Sequence, residues 1–158
     1  MRISQKGIDL IKKYEGLRLE AYLCPAGVWT IGYGHTAGVV KGMKITAEQA
    51  EEYLKSDLAK FEKLVMRYDY KYHWNQNEFD ALVSFSFDIG SIKQLTKSGT
   101  RSRATISKKI LEYNKGGGKV LNGLVKRRKE EQALFLKPME TEGQIEATED
   151  HSTITGYY

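Results

Sequence analysis

The chain of 158 residues has a single cysteine, Cys24, two prolines, and no apolar run long enough to span a membrane. One cysteine forms no intramolecular disulfide, so the fold must be stabilised by packing alone. The N-terminal segment MRISQKGIDLIKKYEG has charges spaced through it and no continuous apolar stretch, unlike a secretory signal peptide. These absences predict a protein that is made in a cytoplasm and does not insert stably into membranes.

Lysine and arginine are absent after Lys137, whereas five of the 20 acidic residues lie there. Residues 1–137 therefore carry all 25 basic side chains and only 15 acidic ones. This balance favours a polyanionic partner such as nucleic acid, an anionic membrane surface or a bacterial wall polymer, and charge does not choose among them. The same charge is equally typical of a protein that uses it only for solubility. Residues 138–158, rich in Glu and Thr, are predicted to form a flexible tail.

The composition, 41% hydrophobic and 28% charged, is that of a soluble globular protein of one domain. Apolar residues recur with helical spacing in five segments, each opened or closed by capping residues. Thr46 with Gln49 has the pattern of a capping box before the longest segment. The predicted helices cover about residues 5–15 after Ser4, 46–67, 76–88 after Asn75, 104–113, and 124–136 after Asn122.

Residues 17–33 change to an alternating pattern, in which LRLEAYL and VWTIGY flank CPAG. A three-residue loop, Pro25–Gly27, suits this turn because proline fits its first position and glycine its left-handed last position. Cys24 then pairs with Val28, and Tyr22 with Thr30. This register predicts that Cys24 and Thr30 share one face of a β-hairpin.

Glu15 is a candidate general acid because it ends the first predicted helix, just before Gly16. The partial negative charge at a helix C-terminus disfavours an ionised carboxylate, and nearby aromatic rings would desolvate it. A protonated carboxyl is what the departure of a sugar alcohol requires. Taken alone, Glu15 is better explained as an ordinary surface glutamate that ends a helix. The aromatic residues near it in sequence are Tyr14, Tyr22, Trp29 and Tyr33.

The segment YEGLRLEAYLCPAGVWTIGYGHT resembles the catalytic segment of phage-type lysozymes, the endolysins of glycoside hydrolase family 24. Their pattern is Glu, eight residues, Asp or sometimes Cys, five residues and Thr, and Glu15, Cys24 and Thr30 have this spacing. QNEFDALVSFSFDIGS is similar to a second family motif, with Asp88 where Asn is usual. KILEYNKGGGKVLNGLVKRRKEEQALFL is similar to a third. The three motifs occur in the family's order and cover about residues 4–137.

The resemblance implies an α+β, mainly helical, two-lobed lysozyme-like fold with a small N-terminal β-hairpin lobe. It also implies an endolysin that hydrolyses the β-1,4 bond between N-acetylmuramic acid and N-acetylglucosamine in peptidoglycan. Glu15 carries over as the general acid, and Cys24 and Thr30 as the second and third catalytic positions of an inverting mechanism. A single domain is expected over residues 1–137, followed by the tail 138–158. Within the domain, the β-hairpin lobe covers about 17–45 and a linking helix about 46–67. The helical lobe consists of about 68–137 together with the N-terminal helix 4–15.

Three roles are open for Cys24. It could help Thr30 to hold and polarise the attacking water, partly as thiolate; it could bond covalently to the sugar; or it could mark an inactive relative. An ordinary thiol, with a pKa near ~8.5, is a weaker anionic partner than Asp near ~3.9. We favour the first role because Thr30 remains available to orient a water molecule.

The neighbouring residues Trp29, Tyr33 and His35 are expected near the cleft, with His35 as a structural hydrogen-bonding residue rather than a partner for a nucleophilic cysteine. KRRK at 126–129 is not set in a recognisable nucleic-acid module, so Arg127 and Arg128 are interpreted as fold and surface charge. The run YDYKYHW at 68–74 is interpreted as core. The histidines lack metal-ligand spacing, and no metal or cofactor is expected.

The expected substrate is thus the peptidoglycan of a bacterial wall, with no nucleic-acid partner. The enzyme would be monomeric and would wait in the host cytoplasm until a holin gave it access to the wall. Three rivals remain: a catalytically weakened peptidoglycan-binding relative, a basic nucleic-acid-binding protein, and a thiol-dependent enzyme.

Overall fold

A computed structural model describes residues 1–140. The predicted tail thus lies almost entirely outside the described residues. Residues 1–140 form seven helices and two small antiparallel sheets. In chain order the elements are α1 (Gln5–Glu15), β1 (Arg18–Leu23), β2 (Trp29–Gly32), α2 (Ala47–Met66), α3 (Asp69–Tyr72), α4 (Gln76–Ile89), α5 (Lys93–Thr96), α6 (Arg103–Ile110), β3 (Lys115–Gly116), β4 (Lys119–Val120) and α7 (Asn122–Leu136).

The predicted starts of α2 and α4 are confirmed, because their capping residues satisfy free backbone N–H groups at the helix N-termini. Thr46 Oγ1 accepts from the Gln49 N–H at 3.1 Å, and the Gln49 side chain accepts from the Thr46 N–H at 2.9 Å. Asn75 and Glu78 form the same reciprocal pair before α4. These caps fix where α2 and α4 begin, and both helices contribute to the cleft described below.

Two predicted caps were wrong in detail. Ser4 precedes α1, but its side chain makes no capping hydrogen bond and instead donates to the Asp80 carboxylate on α4. Asn122 lies inside α7, which is preceded by Leu121. The prediction also missed the four-residue helices α3 and α5 and the short strands β3 and β4 around the glycines of KGGGK.

The register predicted for the hairpin is confirmed. Tyr22 pairs with Thr30, and the Cys24 N–H donates to the Val28 carbonyl at 3.0 Å. Gly27 closes the loop with its N–H on the Cys24 carbonyl at 2.8 Å and a positive φ of 78°. A glycine suits that left-handed position because a side chain there would be strained.

Helix α4 lies at the centre of the helical core and packs against α1, α2 and α7. Its apolar residues, among them Phe79, Leu82 and Phe85, are fully buried. Helix α2 also contacts β2, so it joins the hairpin to the helices. None of the helices in residues 1–140 is both long and apolar enough to cross a membrane.

The aromatic run at 68–74 packs as core in part. Tyr68, Tyr72 and Trp74 are buried, and the Tyr72 and Trp74 rings are stacked with centroids 4.3 Å apart. Tyr70 is 75% exposed.

Candidate active site

A cleft of about 740 Å³ lies beside α2, where the end of α1, the end of α4 and the loop after β2 meet. Phe61 of α2 and Phe87 of α4 both line it, with their rings edge-to-face at 5.5 Å. The cleft therefore has an apolar part amid polar walls. Its lining residues are Glu15, Gly34, Thr36, Ala37, Ser56, Asp57, Ala59, Lys60, Phe61, Lys63, Phe87 and Asp88.

Glu15 is the last residue of α1 and reaches this cleft. Gly16, with a φ of 74°, ends the helix and turns the chain into β1. The Glu15 side chain is 23% exposed, and its Oε2 accepts a hydrogen bond from Arg127 Nη1 at 2.9 Å. Gly34 lies against the other carboxyl oxygen, since a Cβ at that position would stand 3.7 Å from Glu15 Oε1. The carboxyl is thus held on one side and open to the cleft on the other.

Arg127 and Arg128 are buried, so their interpretation as surface charge was wrong. Arg127 is 4% exposed, and besides Glu15 it donates to Glu131 Oε2 and the Ser84 carbonyl, both at 3.2 Å. Arg128 is fully buried and donates to Asp88 Oδ2 at 2.7 Å. Its Nε lies 2.7 Å from Glu131 Oε1, an electrostatic contact without good hydrogen-bond geometry. These pairings offset the free-energy cost of removing the two charged guanidinium groups from water.

Arg127 and Arg128 form one cluster of charged side chains with Glu15, Asp88 and Glu131. It contains two guanidinium groups and three carboxyl groups. Glu131 is fully buried, whereas Glu15 and Asp88 face the cleft. When all three carboxyls are ionised the cluster carries one excess negative charge.

Cys24 and Thr30 lie together on the hairpin but are not among the residues that line the cleft. Thr30 is 4% exposed, and Cys24 is a partly exposed free thiol. Hydrogen bonds from the backbone of Val28 and Ala26 lower the pKa of the Cys24 thiol, against a smaller opposing effect of burial. Cys24 is therefore a thiol that ionises more readily than usual.

The Thr30 hydroxyl has one proton, and it donates that proton to the Val28 carbonyl at 2.9 Å. The oxygen is then an acceptor toward its surroundings. Thr30 must rotate its hydroxyl before it can donate to a Cys24 thiolate, so the backbone amides are the steadier support for that anion.

The remaining predicted residues lie around the same loop. His35 is 9% exposed, its Nδ1 lies 2.8 Å from Asp57 Oδ2, and its ring stacks on Tyr53 at 4.3 Å. Tyr33 is buried beneath Lys12, whose Nζ lies 5.7 Å from the ring. Trp29 is partly buried against the core. Neither Tyr33, His35 nor Trp29 lines the cleft itself, although Gly34, Thr36 and Asp57 beside them do.

The sequence did not predict three features of the cleft. These are the contact of Arg127 with Glu15, the position of Asp88 in the cleft wall, and the two α2 lysines Lys60 and Lys63 that line it. The only sequence signal was at Asp88, which departs from the asparagine usual in the family it resembles. Within residues 1–140, no group of three or more His, Cys, Asp and Glu side chains is arranged to hold a metal ion.

Comparison with known sequences shows extended similarity. The profile of the family described as Phage lysozyme matches residues 12–131. The chain is 42% identical over 144 residues to the endolysin of Acyrthosiphon pisum secondary endosymbiont phage 1, covering 85% of this chain and 98% of that protein. It is 41% identical over 150 residues to the endolysin of Bacillus phage B103, covering 86% of this chain and only 54% of that protein. The chain thus spans about half the length of some curated relatives.

The fold is similar to that of the muramidase domain of SpmX from Asticaccaulis excentricus, with a TM-score of 0.77 and 36% identity. This similarity covers 87% of the present chain and 99% of that structure, and it confirms the predicted α+β lysozyme-like fold. The family match, the relatives and the fold agree: the chain belongs to the phage lysozyme family and is a lysozyme-type glycoside hydrolase.

Proposed function

We propose that this phage lysozyme is an endolysin that hydrolyses the β-1,4 bond between N-acetylmuramic acid and N-acetylglucosamine in peptidoglycan, with Glu15 as the proton donor. The observation that carries the proposal is the position of Glu15, whose carboxyl is paired on one side with Arg127 and opens on the other into the cleft. Phe61 and Phe87 offer apolar surfaces against which sugar rings pack.

In the first part of the reaction, the protonated Glu15 donates to the glycosidic oxygen as its bond to the anomeric carbon breaks. The leaving sugar departs as an alcohol, and Glu15 becomes a carboxylate. Arg127 then stabilises that new anion through its 2.9 Å hydrogen bond. The same contact orients the carboxyl before the reaction.

In the second part, Cys24 and Thr30 hold a water molecule on the opposite face of the sugar. The oxygen of this water bonds to the anomeric carbon, and the Cys24 thiolate accepts one of the water's protons. Because the water attacks from the face opposite the leaving group, the configuration is inverted. Solvent returns the proton from Cys24 to Glu15 and restores both groups. The lowered pKa of the Cys24 thiol increases the fraction of enzyme that has an ionised thiol together with a protonated Glu15.

Access to the wall completes the proposed function. The enzyme is synthesised in the host cytoplasm as a monomer, is organised as one lysozyme-like domain over 1–137, and reaches the wall through a holin. Its net positive charge over residues 1–137 supports attraction to an anionic wall. Nucleic acid is not a partner in this account.

The test is the release of reducing ends from purified walls by the wild-type enzyme and by Glu15→Gln. The amide keeps the size of the side chain but has no acidic proton, so we expect a loss of about 10²–10⁴-fold. Glu112→Gln, which removes an equal charge at a side chain 62% exposed, is the matched control and keeps full activity. Equal rates for the wild-type enzyme and Glu15→Gln would contradict the proposal.

A second candidate is a peptidoglycan-binding relative with weakened hydrolysis. The observation that favours it is that Cys24 and Thr30 do not line the cleft that contains Glu15. This candidate predicts wall binding in a pull-down together with no reducing ends from the wild-type protein, so the same experiment decides between them.

A further inference from the structure

Helix α2 gives the cleft one wall that changes charge along its length. Asp57, next to His35, lies near the middle of the helix, and Lys60 and Lys63 follow toward its C-terminal end. With a rise of about 1.5 Å per residue, Lys63 stands about 9 Å beyond Asp57 along the helix axis. The two lysines are neighbours on one face because they are three residues apart.

Neither lysine is needed to neutralise a carboxylate of the described chain. Within residues 1–140, no carboxylate oxygen lies within 4.0 Å of Lys60 or Lys63, whereas Lys55 on the same helix is paired with Glu51. Both residues are exposed. The Lys60 ammonium lies 5.0 Å from the ring centroid of Phe61, which also lines the cleft.

The opposite charge is concentrated at the other part of the cleft. The carboxyl groups of Asp57 and Asp88 line it beside Glu15, and they repel an anionic group of a bound substrate. An anionic substituent is therefore directed toward the lysines. A ligand whose negative charge lies on one side therefore binds the cleft in one preferred orientation.

We propose that Lys60 and Lys63 form a subsite for the carboxylates of the stem peptides that peptidoglycan carries on its muramic acid residues. The inference rests on the proposed function and specifies its substrate as peptide-bearing glycan. The sugar rings are uncharged and the lactyl carboxyl of a substituted muramic acid is tied up as an amide, so the stem peptide carries the negative charge of such a strand. Two ammonium groups one helical turn apart suit two carboxylates of one short peptide.

The subsite is tested by calorimetric binding in a Glu15→Gln background, which prevents turnover and makes the result independent of the catalytic account. Three soluble ligands are compared: a glycan fragment with stem peptides, the same fragment after an amidase has removed them, and a neutral N-acetylglucosamine oligomer. The variant is Lys60→Gln/Lys63→Gln. Lys108→Gln/Lys119→Gln, which removes two exposed lysines outside the cleft, controls for net charge.

We expect the cleft variant to bind the peptide-bearing fragment about tenfold more weakly at low salt, which corresponds to about 1.4 kcal/mol. Its affinity for the neutral oligomer and the amidase-treated fragment stays unchanged, and so does the affinity of the control variant for all three. Added salt reduces the tenfold difference because the ion pairs are exposed. Lys60→Arg/Lys63→Arg retains binding.

Two results would overturn the inference. Unchanged binding of the peptide-bearing fragment would remove the subsite. An equal loss for the amidase-treated fragment would assign the lysines to the freed lactyl carboxylate of the sugar rather than to the peptide. Release of reducing ends by the wild-type enzyme is measured in parallel, so failure of the hydrolase account is seen separately.

Discussion

Arg127 donates to the Glu15 carboxyl at 2.9 Å although the two residues are 112 positions apart in the chain. The contact joins the end of α1 to α7. The Arg127 guanidinium also donates hydrogen bonds to Glu131 and to the Ser84 carbonyl. The proposed proton donor is therefore held by a buried guanidinium that makes further hydrogen bonds to α4 and α7.

The first prediction concerns the shape of that guanidinium. Arg127→Lys keeps the charge but cannot reach Glu15, Glu131 and Ser84 at once, because an ammonium lacks the planar fork. We expect a loss of stability of about 1–3 kcal/mol, from unpaired buried groups, together with a lower kcat. Thermal unfolding and reducing-end release measured on the same sample check both. A variant with unchanged kcat would show that Arg127 does not position Glu15.

The second prediction concerns the carboxylate that balances the cluster. Asp88→Asn removes the carboxylate that pairs with Arg128 at 2.7 Å and lies 4.0 Å from Arg127, so both buried guanidinium groups have one counter-charge fewer. We expect a loss of stability of about 1–3 kcal/mol.

Thermal unfolding of Asp88→Asn is compared with that of Glu112→Gln, which loses an equal charge at an exposed side chain outside the cleft. Glu112→Gln is expected to keep the wild-type midpoint. A wild-type midpoint for Asp88→Asn as well would contradict the role of Asp88.

The third prediction concerns the reactivity of Cys24. Since backbone hydrogen bonds from Val28 and Ala26 lower the pKa of its thiol, the rate of alkylation should rise with pH and reach half its maximum below the ordinary ~8.5. Iodoacetamide kinetics followed by mass spectrometry measure this midpoint, and the single cysteine makes the signal unambiguous. A midpoint at or above that of a free thiol would contradict the described support for the thiolate.

The fourth prediction separates the roles of Cys24. Cys24→Ala should lose about 10²–10⁴-fold in kcat because no group remains to accept the proton of the attacking water. Cys24→Asp should keep activity and extend it to lower pH, since a carboxylate ionises far below a thiol. Reducing-end assays from pH 4 to 8 test both. Full activity of the alanine variant would remove Cys24 from the mechanism.

The fifth prediction concerns stability. Lys12 on α1 pairs with Glu51 on α2 at 2.7 Å, with side chains 30% and 24% exposed. The hydrogen bond from Lys12 lowers the pKa of Glu51, so the pair stabilises the fold above about pH 4.3, and that stability is lost as pH falls through the lower folded value. A double-mutant cycle of Lys12→Met and Glu51→Gln should give a coupling of about 0.5–1 kcal/mol at pH 7 and much less at pH 3. Equal coupling at both pH values would refute the ionic origin.

The hairpin and the main helices were predictable because their determinants are local. Gly27 supplies a left-handed turn position three residues after Cys24, and the capping boxes at Thr46 and Asn75 close within three residues. Helices α3 and α5, with four residues each, are too short to show a hydrophobic period.

The features that were missed depend on contacts between distant residues. Ser4 is a good helix cap by type, yet its hydroxyl finds Asp80 on α4 instead. Arg127 and Arg128 occupy a run of mixed charge that is typical of a solvated surface, and only the packing of α7 against α4 buries them. The position of Glu15 at the end of α1 was predictable, whereas the guanidinium that holds it was not.

The proposed mechanism can be checked through the anomeric configuration of the sugar released from purified peptidoglycan, read by NMR in the first minutes before mutarotation. An inverting reaction gives new reducing ends on N-acetylmuramic acid in the α configuration, because water attacks the β-linked carbon from the opposite face. Release of the β anomer, or of no muramic acid reducing ends at all, would contradict it.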